Sequence, residues 1–256
     1  PVESGDITIL PNHFEKIYLH WIDNLRDWCI SRQVWFGHRI PVWYRGEEES
    51  YVGIEAPEGD SWVQDEDTLD TWFSSALWTF STLGWPENTK DLEIYHPTSV
   101  LETGYEILFF WVARMILMTE YVLGDIPFKD VYLHGTVRDN KGQKMSKSLG
   151  NGIDPLDIAA KYGADAGRMA LILGTAPGTD SKISEDKIKG QKHFANKLWN
   201  MGRFIEMKRP ESFIGKAETS FESLKKLAVH ETDKEWVEKV KRLAHETTRN
   251  IDRFYL

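Results

Sequence analysis

The sequence predicts an α/β fold, with parallel strands joined by a helical crossover, followed by a segment that is helical throughout. Two observations carry this. Short β-rich runs at 99–102 and 131–137 are separated by a helical pattern over 104–121, and a further helix opens at Asp154-Pro155. A strand–helix–strand–loop–helix order requires a crossover, which makes the strands parallel. From residue 185 onward the apolar spacing is wholly helical, so a domain boundary is expected between 184 and 185. Ligands of open parallel sheets bind beyond the carboxyl ends of the strands. Chemistry is therefore expected in the loops after residues 102 and 137.

Taken in order, residues 13–27 carry Phe14, Ile17, Tyr18, Trp21 and Leu25 at helical spacing. Residues 46–60, rich in Glu and Gly, predict an exposed loop or a weak hairpin. The run 131–137 ends at a polar, glycine-bearing loop, 138–152. Asp154 is a natural N-cap, with Pro155 at the first helical position. Thr232 and Glu235 have the spacing of a capping box. Trp236, Val240, Leu243, Thr247, Ile251 and Phe254 then form one stripe, the mark of a helix that needs a partner. The chain opens without methionine and stops at Phe254-Tyr255-Leu256 with no helix stop signal, so a piece of a longer protein is expected.

Bulk composition is that of an ordinary globular protein with enough chain for a substantial core. The longest apolar run, 107–118, is broken by Arg114 and falls short of the roughly 20 residues that span a bilayer. No membrane association is expected, and the polar, acidic residues 1–6 do not resemble a secretory leader. Cys29 is the only cysteine, which excludes an internal disulfide and a multi-cysteine zinc knuckle and fits a reducing cytoplasm. No metal site is expected in this chain. A net charge of −9 argues against attachment to nucleic acid by bulk charge alone. Residues 182–209 nevertheless hold eight Lys/Arg against three Asp/Glu. By itself such a stretch is an ordinary solvated helix face.

The most informative string is Lys144-Met145-Ser146-Lys147-Ser148-Leu149-Gly150-Asn151. A compact lysine charge beside hydroxyls and loop N–H groups suits a polyphosphate. Such donors stabilise the charge that develops as pyrophosphate leaves, with no covalent step. On residue types alone, a solvent-exposed basic turn is the commoner outcome. The string resembles the KMSKS signature of class I aminoacyl-tRNA synthetases, including the Leu-Gly-Asn that often follows it. The resemblance implies the second half of a Rossmann-type nucleotide-binding domain, with ATP as substrate and Mg2+ alongside it. It implies that Lys147 stabilises the activation transition state, with Lys144 in support. It also implies ATP contacts from His134, Gly135, Lys144, Met145, Ser146, Lys147 and Ser148. Glycine at 135 would let the backbone approach the nucleotide. Unaided, His134 is a hydrogen-bonded histidine at a strand end.

Other segments are similar to one branch of that family. Residues 27–33 (Asp-Trp-Cys-Ile-Ser-Arg-Gln) and 37–44 (Gly-His-Arg-Ile-Pro-Val-Trp-Tyr) resemble the segment that follows the editing insertion in valyl and isoleucyl enzymes. Residues 70–78 (Asp-Thr-Trp-Phe-Ser-Ser-Ala-Leu-Trp), 80–86 and 103–115 resemble the valyl wording. By this resemblance Trp72, Gly104, Glu106, Ile107 and Trp111 lie at the amino-acid pocket. Rigid aromatic walls and a β-branched residue suit a branched aliphatic side chain. Aromatics at helical spacing are otherwise core, as expected for Phe109 and Phe110. Glu106 departs from the Asp more usual in the family. Residues 163–168 resemble the helix after the lysine loop, and 194–200 the entry to the tRNA-contacting helices.

On this resemblance, residues 1–184 are the C-terminal half of the catalytic domain, and 185–256 begin the α-helical anticodon- and tRNA-binding domain. The implied activity is ATP-dependent activation of valine to valyl-adenylate and transfer to tRNA(Val), in the cytoplasm. No His-Ile-Gly-His string occurs, and the editing insertion is missing. The missing N-terminal half of the same enzyme, with its His-Ile-Gly-His motif and editing domain, is therefore an expected partner, and the isolated chain is expected to be inactive. An isoleucyl fragment and a non-catalytic tRNA- or partner-binding module are the alternatives.

Overall fold

The computed structural model describes residues 1–146, 148–209 and 220–255. The chain separates into two compact units, Pro1–His134 and Gly135–Leu256.

The first unit runs β1 (Thr8–Leu10), α1 (His13–Asp23), β2 (Ser31–Arg32), β3 (Val42–Arg45), β4 (Glu49–Val52), β5 (Val63–Gln64), β6 (Thr68–Leu69), α2 (Thr71–Ser75), α3 (Trp78–Ser81), α4 (Lys90–Tyr95), β7 (Thr98–Gly104), α5 (Arg114–Leu123) and β8 (Phe128–His134). Its main sheet has the order β1–β8–β7, with both pairings parallel and Val131 set between Ile9 and Leu101. The strands are mixed rather than apolar throughout: in β8 Phe128, Val131 and Leu133 are buried while Lys129 and His134 are exposed, and in β7 only Leu101 and Thr103 are buried. Ile9, Phe128, Val131 and Leu133 are fully buried among Val112, Met115 and Ile116. Truncating a side chain such as Phe128 to Ala costs about 3–5 kcal/mol in sites of this kind.

The crossover from β7 to β8 is helical, as expected, but not uniform. It opens as a 3-10 turn (Tyr105–Ile107), widens to a π turn (Leu108–Ala113) and becomes α-helical only at Arg114. A π turn carries an extra residue and is frequent at functional sites. Gly124, at φ +66°, closes α5 in the left-handed conformation open to glycine. Helix α1 stops at Asp23 rather than 27, because the Asn24 side chain donates to the His20 carbonyl (2.8 Å) and ends the ladder. Only Phe14 and Tyr18 of its apolar set are buried; Ile17, Trp21 and Leu25 are 43–48% exposed. The Glu- and Gly-rich stretch is a hairpin, with β3 between β4 and β5 in an antiparallel sheet and Gly46 (φ +66°) in the turn.

The second unit contains β9 (Val137–Arg138), α6 (Pro155–Tyr162), α7 (Ala164–Ile172), β10 (Ser181–Lys182), α8 (Glu185–Lys208), α9 (Phe221–Leu227) and α10 (Glu231–Asp252). β9 and β10 pair in parallel. Ile158, Ala166, Ala170, Ile183 and Ile188 form a separate core. The two alanines let α7 lie close to α6 and α8. The β-rich run expected over 131–137 is thus two strands in two units, broken at Gly135.

Asp154 caps α6 through the Leu156 N–H (2.8 Å), with Pro155 at the first position. The capping box at Thr232 does not form. α10 begins two residues earlier, with the His230 carbonyl accepting from the Asp233 and Lys234 N–H groups. That start puts Glu231 and Asp233 in the first turn, where their charges complement the helix dipole. α10 stops at Asp252, with Phe254 beyond it at φ 59°, so the stripe ends at Ile251. Among the described residues, no helix is long and apolar enough to cross a membrane.

Candidate functional site

In the first unit, β7 and β8 finish in register at Gly104 and His134. The His134 Nε2 lies 3.2 Å from the Glu102 carboxylate, and both side chains are about half exposed. A Cβ at Gly104 would stand 3.5 Å from the His134 ring, an ordinary contact. Just beyond this edge Glu106 is exposed and Ile107 half-buried.

The two tryptophans expected at the pocket both register on α2. Trp72 sits in its first turn, and its ring meets Phe110 at 5.5 Å. Trp111 donates from Nε1 to the Ser75 carbonyl at the other end (3.1 Å), and its ring lies 5.8 Å from Trp78. Phe109 lies against the main core and stacks on Trp21, in keeping with the core expectation. Phe110 does not: it is 46% exposed, because the π turn rotates it off the core face.

Three residues that sequence reasoning passed over hold this aromatic group. Asp70, 7% exposed, caps α2 by accepting from the Trp72 N–H (3.3 Å). Its carboxylate also accepts from Trp28 Nε1 (3.0 Å) and Arg32 (2.7 Å). Arg114 lies 3.9 Å over the Trp28 ring and 5.3 Å from that of Phe110. Desolvation lowers the Arg114 pKa, and the nearby Asp70 charge pushes it back up. An Asp just before a short aromatic run is an N-cap signal, so Asp70 was legible. The arginine partners, distant in sequence, were not.

In the second unit the lysine loop is clipped at its base. Asp139 accepts from the Lys141 N–H (2.9 Å), the Gln143 N–H (2.8 Å) and the Asn151 amide (3.0 Å). The Asn151 amide first, then the Gln143 N–H, holds the Asp139 carboxyl below its ordinary pKa. Asn151 also accepts from the Ser146 N–H (2.9 Å) and donates to the Lys144 carbonyl (3.3 Å). The Ser146 and Ser148 hydroxyls lie 3.1 Å apart, and the Leu149 N–H donates to the former. Met145 packs into the second core, which ties the loop to the fold. Lys144 pairs with Arg138 in an isolated antiparallel bridge. Lys147 lies outside the described residues.

Gly135 is required on steric grounds. A Cβ there would overlap the Thr179 carbonyl and the Asp180 N–H. The Thr136 N–H and Arg138 Nε both donate to Asp180 (2.7 and 2.5 Å), which holds β9 to β10. The close approach visible at Gly135 is thus to its own backbone. The basic stretch forms α8, and a groove of about 760 Å³ between α7 and α8 is lined by Met169, Ile172, Phe194, Leu198, Trp199 and Arg203 among others.

A parallel sheet with polar groups at its strand ends, and a hydroxyl-rich loop tied to a small core through Met145, are the parts of an α/β protein. The chain belongs to the family of class I tRNA synthetases (I, L, M and V), which it matches over residues 2–59 and 51–184. It is 48% identical to the valine–tRNA ligase of Clostridium tetani over 263 residues, covering 100% of this chain and 29% of that protein. It is 57% identical to the valine–tRNA ligase of Bacillus subtilis over 204 residues, or 78% of this chain and 23% of that one. The chain thus spans between a quarter and a third of the Clostridium protein's length.

Among solved structures it is similar to the Agrobacterium radiobacter K84 agnB2 LeuRS in its ternary complex with tRNA and LeuAMS. There the TM-score is 0.72 at 19% identity, covering 95% of this chain and 37% of that one. It is also similar to Mycobacterium tuberculosis methionyl-tRNA synthetase with methionyl-adenylate. That match has a TM-score of 0.61 at 22% identity, covering 87% of this chain and 41% of that one. Both likenesses establish the fold.

Proposed function

We propose that this chain is a segment of a valine–tRNA ligase that activates valine with ATP and transfers it to tRNA(Val). The observation that carries this is the 48% identity along the whole chain to a valine–tRNA ligase, which favours the valyl over the isoleucyl alternative. Lys147 places its ammonium on the phosphate oxygens and acts mainly as pyrophosphate leaves. Lys144, Met145, Ser146 and Ser148 form the rest of the loop that meets the triphosphate, and His134 and Gly135 meet the nucleoside. Mg2+ comes with the triphosphate, whose oxygens are its usual ligands.

Trp72, Ile107 and Trp111 wall the valine side chain, with Gly104 leaving room beside it. Glu106 meets the polar end of the amino acid with one methylene more than the family's usual Asp. The tether of both tryptophans to α2 supports a shared wall. Residues 1–184 form the C-terminal half of the catalytic domain, supported by the family match ending at 184. Residues 185–256 open the helical tRNA-binding domain, whose basic excess lies on α8. The activity is cytoplasmic. It needs the N-terminal half with its His-Ile-Gly-His string and editing insertion, so the isolated chain is inactive.

The test is Lys147→Ala in the complete ligase, followed by valine-dependent ATP–pyrophosphate exchange. Loss of one such donor should lower kcat roughly a hundred- to a thousandfold, with little change in the KM for valine. Lys147→Arg should rescue only in part, since a planar fork does not reproduce a compact ammonium. Exchange within a few fold of the unmodified enzyme would retire the catalytic role of the loop.

A further inference from the structure

We propose that Asp70 is a positioning residue for amino-acid selectivity, its buried carboxylate setting where the Trp72 ring stands relative to Trp111. The proposal holds only if Trp72 and Trp111 are pocket walls, as argued above.

Helix α2 has five residues, too few to hold its own shape, because helix nucleation is unfavourable and propagation has no length to offset it. Its position is therefore set from outside, at its two ends. At the C-terminal end Trp111 donates to the Ser75 carbonyl (3.1 Å). At the N-terminal end Asp70 takes the Trp72 N–H on one oxygen, and Trp28 and Arg32 on the other. The short helix is thus a ruler between two indoles, and Asp70 fixes its far end.

The contacts also close into a ring. Asp70 holds Trp28, Trp28 lies under the Arg114 guanidinium (3.9 Å), Arg114 reaches Phe110 (5.3 Å), and Phe110 meets Trp72 (5.5 Å). Displacing the Trp72 ring disturbs every member. An exposed cap would be served equally well by Ser or Asn. A carboxylate whose side chain is only 10% exposed is costly to desolvate unless it is paired. Here Arg32 is bonded to it and Arg114 lies within electrostatic reach. Charge-assisted hydrogen bonds are shorter and more directional than neutral ones, which suits a group whose task is placement.

The experiment uses the complete ligase and compares Asp70→Asn, Asp70→Ala and Trp72→Ala. For each, kcat/KM in pyrophosphate exchange is measured with valine and with isoleucine, beside the unfolding midpoint. Asp70→Asn keeps an acceptor for the Trp72 N–H but loses the charge that holds Arg32. It should narrow the valine preference roughly tenfold, within the range that one methylene is worth in such a pocket. The KM for valine should rise while the KM for ATP stays within about twofold. Asp70→Ala should narrow the preference further. If Asp70→Ala does not fold, the near-isosteric Asn variant decides alone. An unchanged valine-to-isoleucine ratio in the foldable Asp70 variants, with Trp72→Ala shifting it, would overturn the positioning role and leave the pocket standing. An unchanged ratio in Trp72→Ala as well would remove the pocket, and the role of Asp70 with it.

Discussion

Tyr18 stands on the buried face of α1, 5% exposed, and burial first, then the charge of Glu120, pushes its phenol up to about 12 from the ordinary 10. The phenol therefore keeps its proton in the folded chain at a pH where the unfolded chain has lost it. Its contribution is fully present below pH 10 and is lost as pH rises towards 12. A shift of this size corresponds to at most about 3 kcal/mol. In Tyr18→Phe the unfolding midpoint should fall less steeply between pH 10 and 12 than in the unmodified chain. Identical slopes in thermal melts of the two would show that Tyr18 does not titrate in that range. Asp70 acts at the same scale through its geometry: one carboxylate joins residues 28, 32 and 72.

Among elements, the lysine loop shows how a polar string is held at its base. Asn151 is the clip, since its amide bridges the Asp139 carboxylate, the Ser146 N–H and the Lys144 carbonyl. Asn151→Ala leaves the Lys144–Ser148 string intact but frees its base. In the complete ligase it should slow pyrophosphate exchange roughly tenfold through kcat, because loss of preorganisation acts on the transition state. An unchanged kcat would mean that the remaining ties, Met145 in the core and the Arg138–Lys144 bridge among them, hold the loop without Asn151. Because its hydrogen bonds hold the Asp139 carboxyl below the ordinary carboxylate range, the clip stays charged as pH falls through that range and loosens only at lower pH. The stretch 105–123 teaches a different lesson. Its apolar spacing predicts one helix, and the chain does coil there. The change from 3-10 to π to α geometry decides that Phe110 faces out towards Trp72 while Phe109 faces the core.

At the scale of the whole molecule, the chain is 29% of the Clostridium ligase's length. The purified chain should show no valine-dependent pyrophosphate exchange above background. In the proposed function a His-Ile-Gly-His segment shares the phosphate chemistry with the lysine loop, and that string does not occur in this sequence. Exchange well above background would overturn that expectation. The expected single boundary at 184/185 also meets a second division here, since compactness changes at His134/Gly135. Helix α8 packs on α7 within the second unit. Compact units follow contacts, whereas the family match ends at 184, so the two divisions describe different properties.

The amino-acid sequence by itself determined the α/β class, the parallel strand runs, the Asp154–Pro155 helix start, the lysine string and the family. All of these are written in neighbouring residues: a period, a cap, an unbroken word. Only the tertiary structure decided that β8 lies between β1 and β7, and that α10 starts at Glu231 rather than at a capping box. The same holds for Gly135, whose missing side chain makes room for Thr179, and for Asp70, which gathers partners from 38 and 42 positions away. The physical reason is common to these last cases. Hydrogen bonds and packing between residues far apart in the chain leave no spacing behind them, so they become legible only once the chain has folded back on itself.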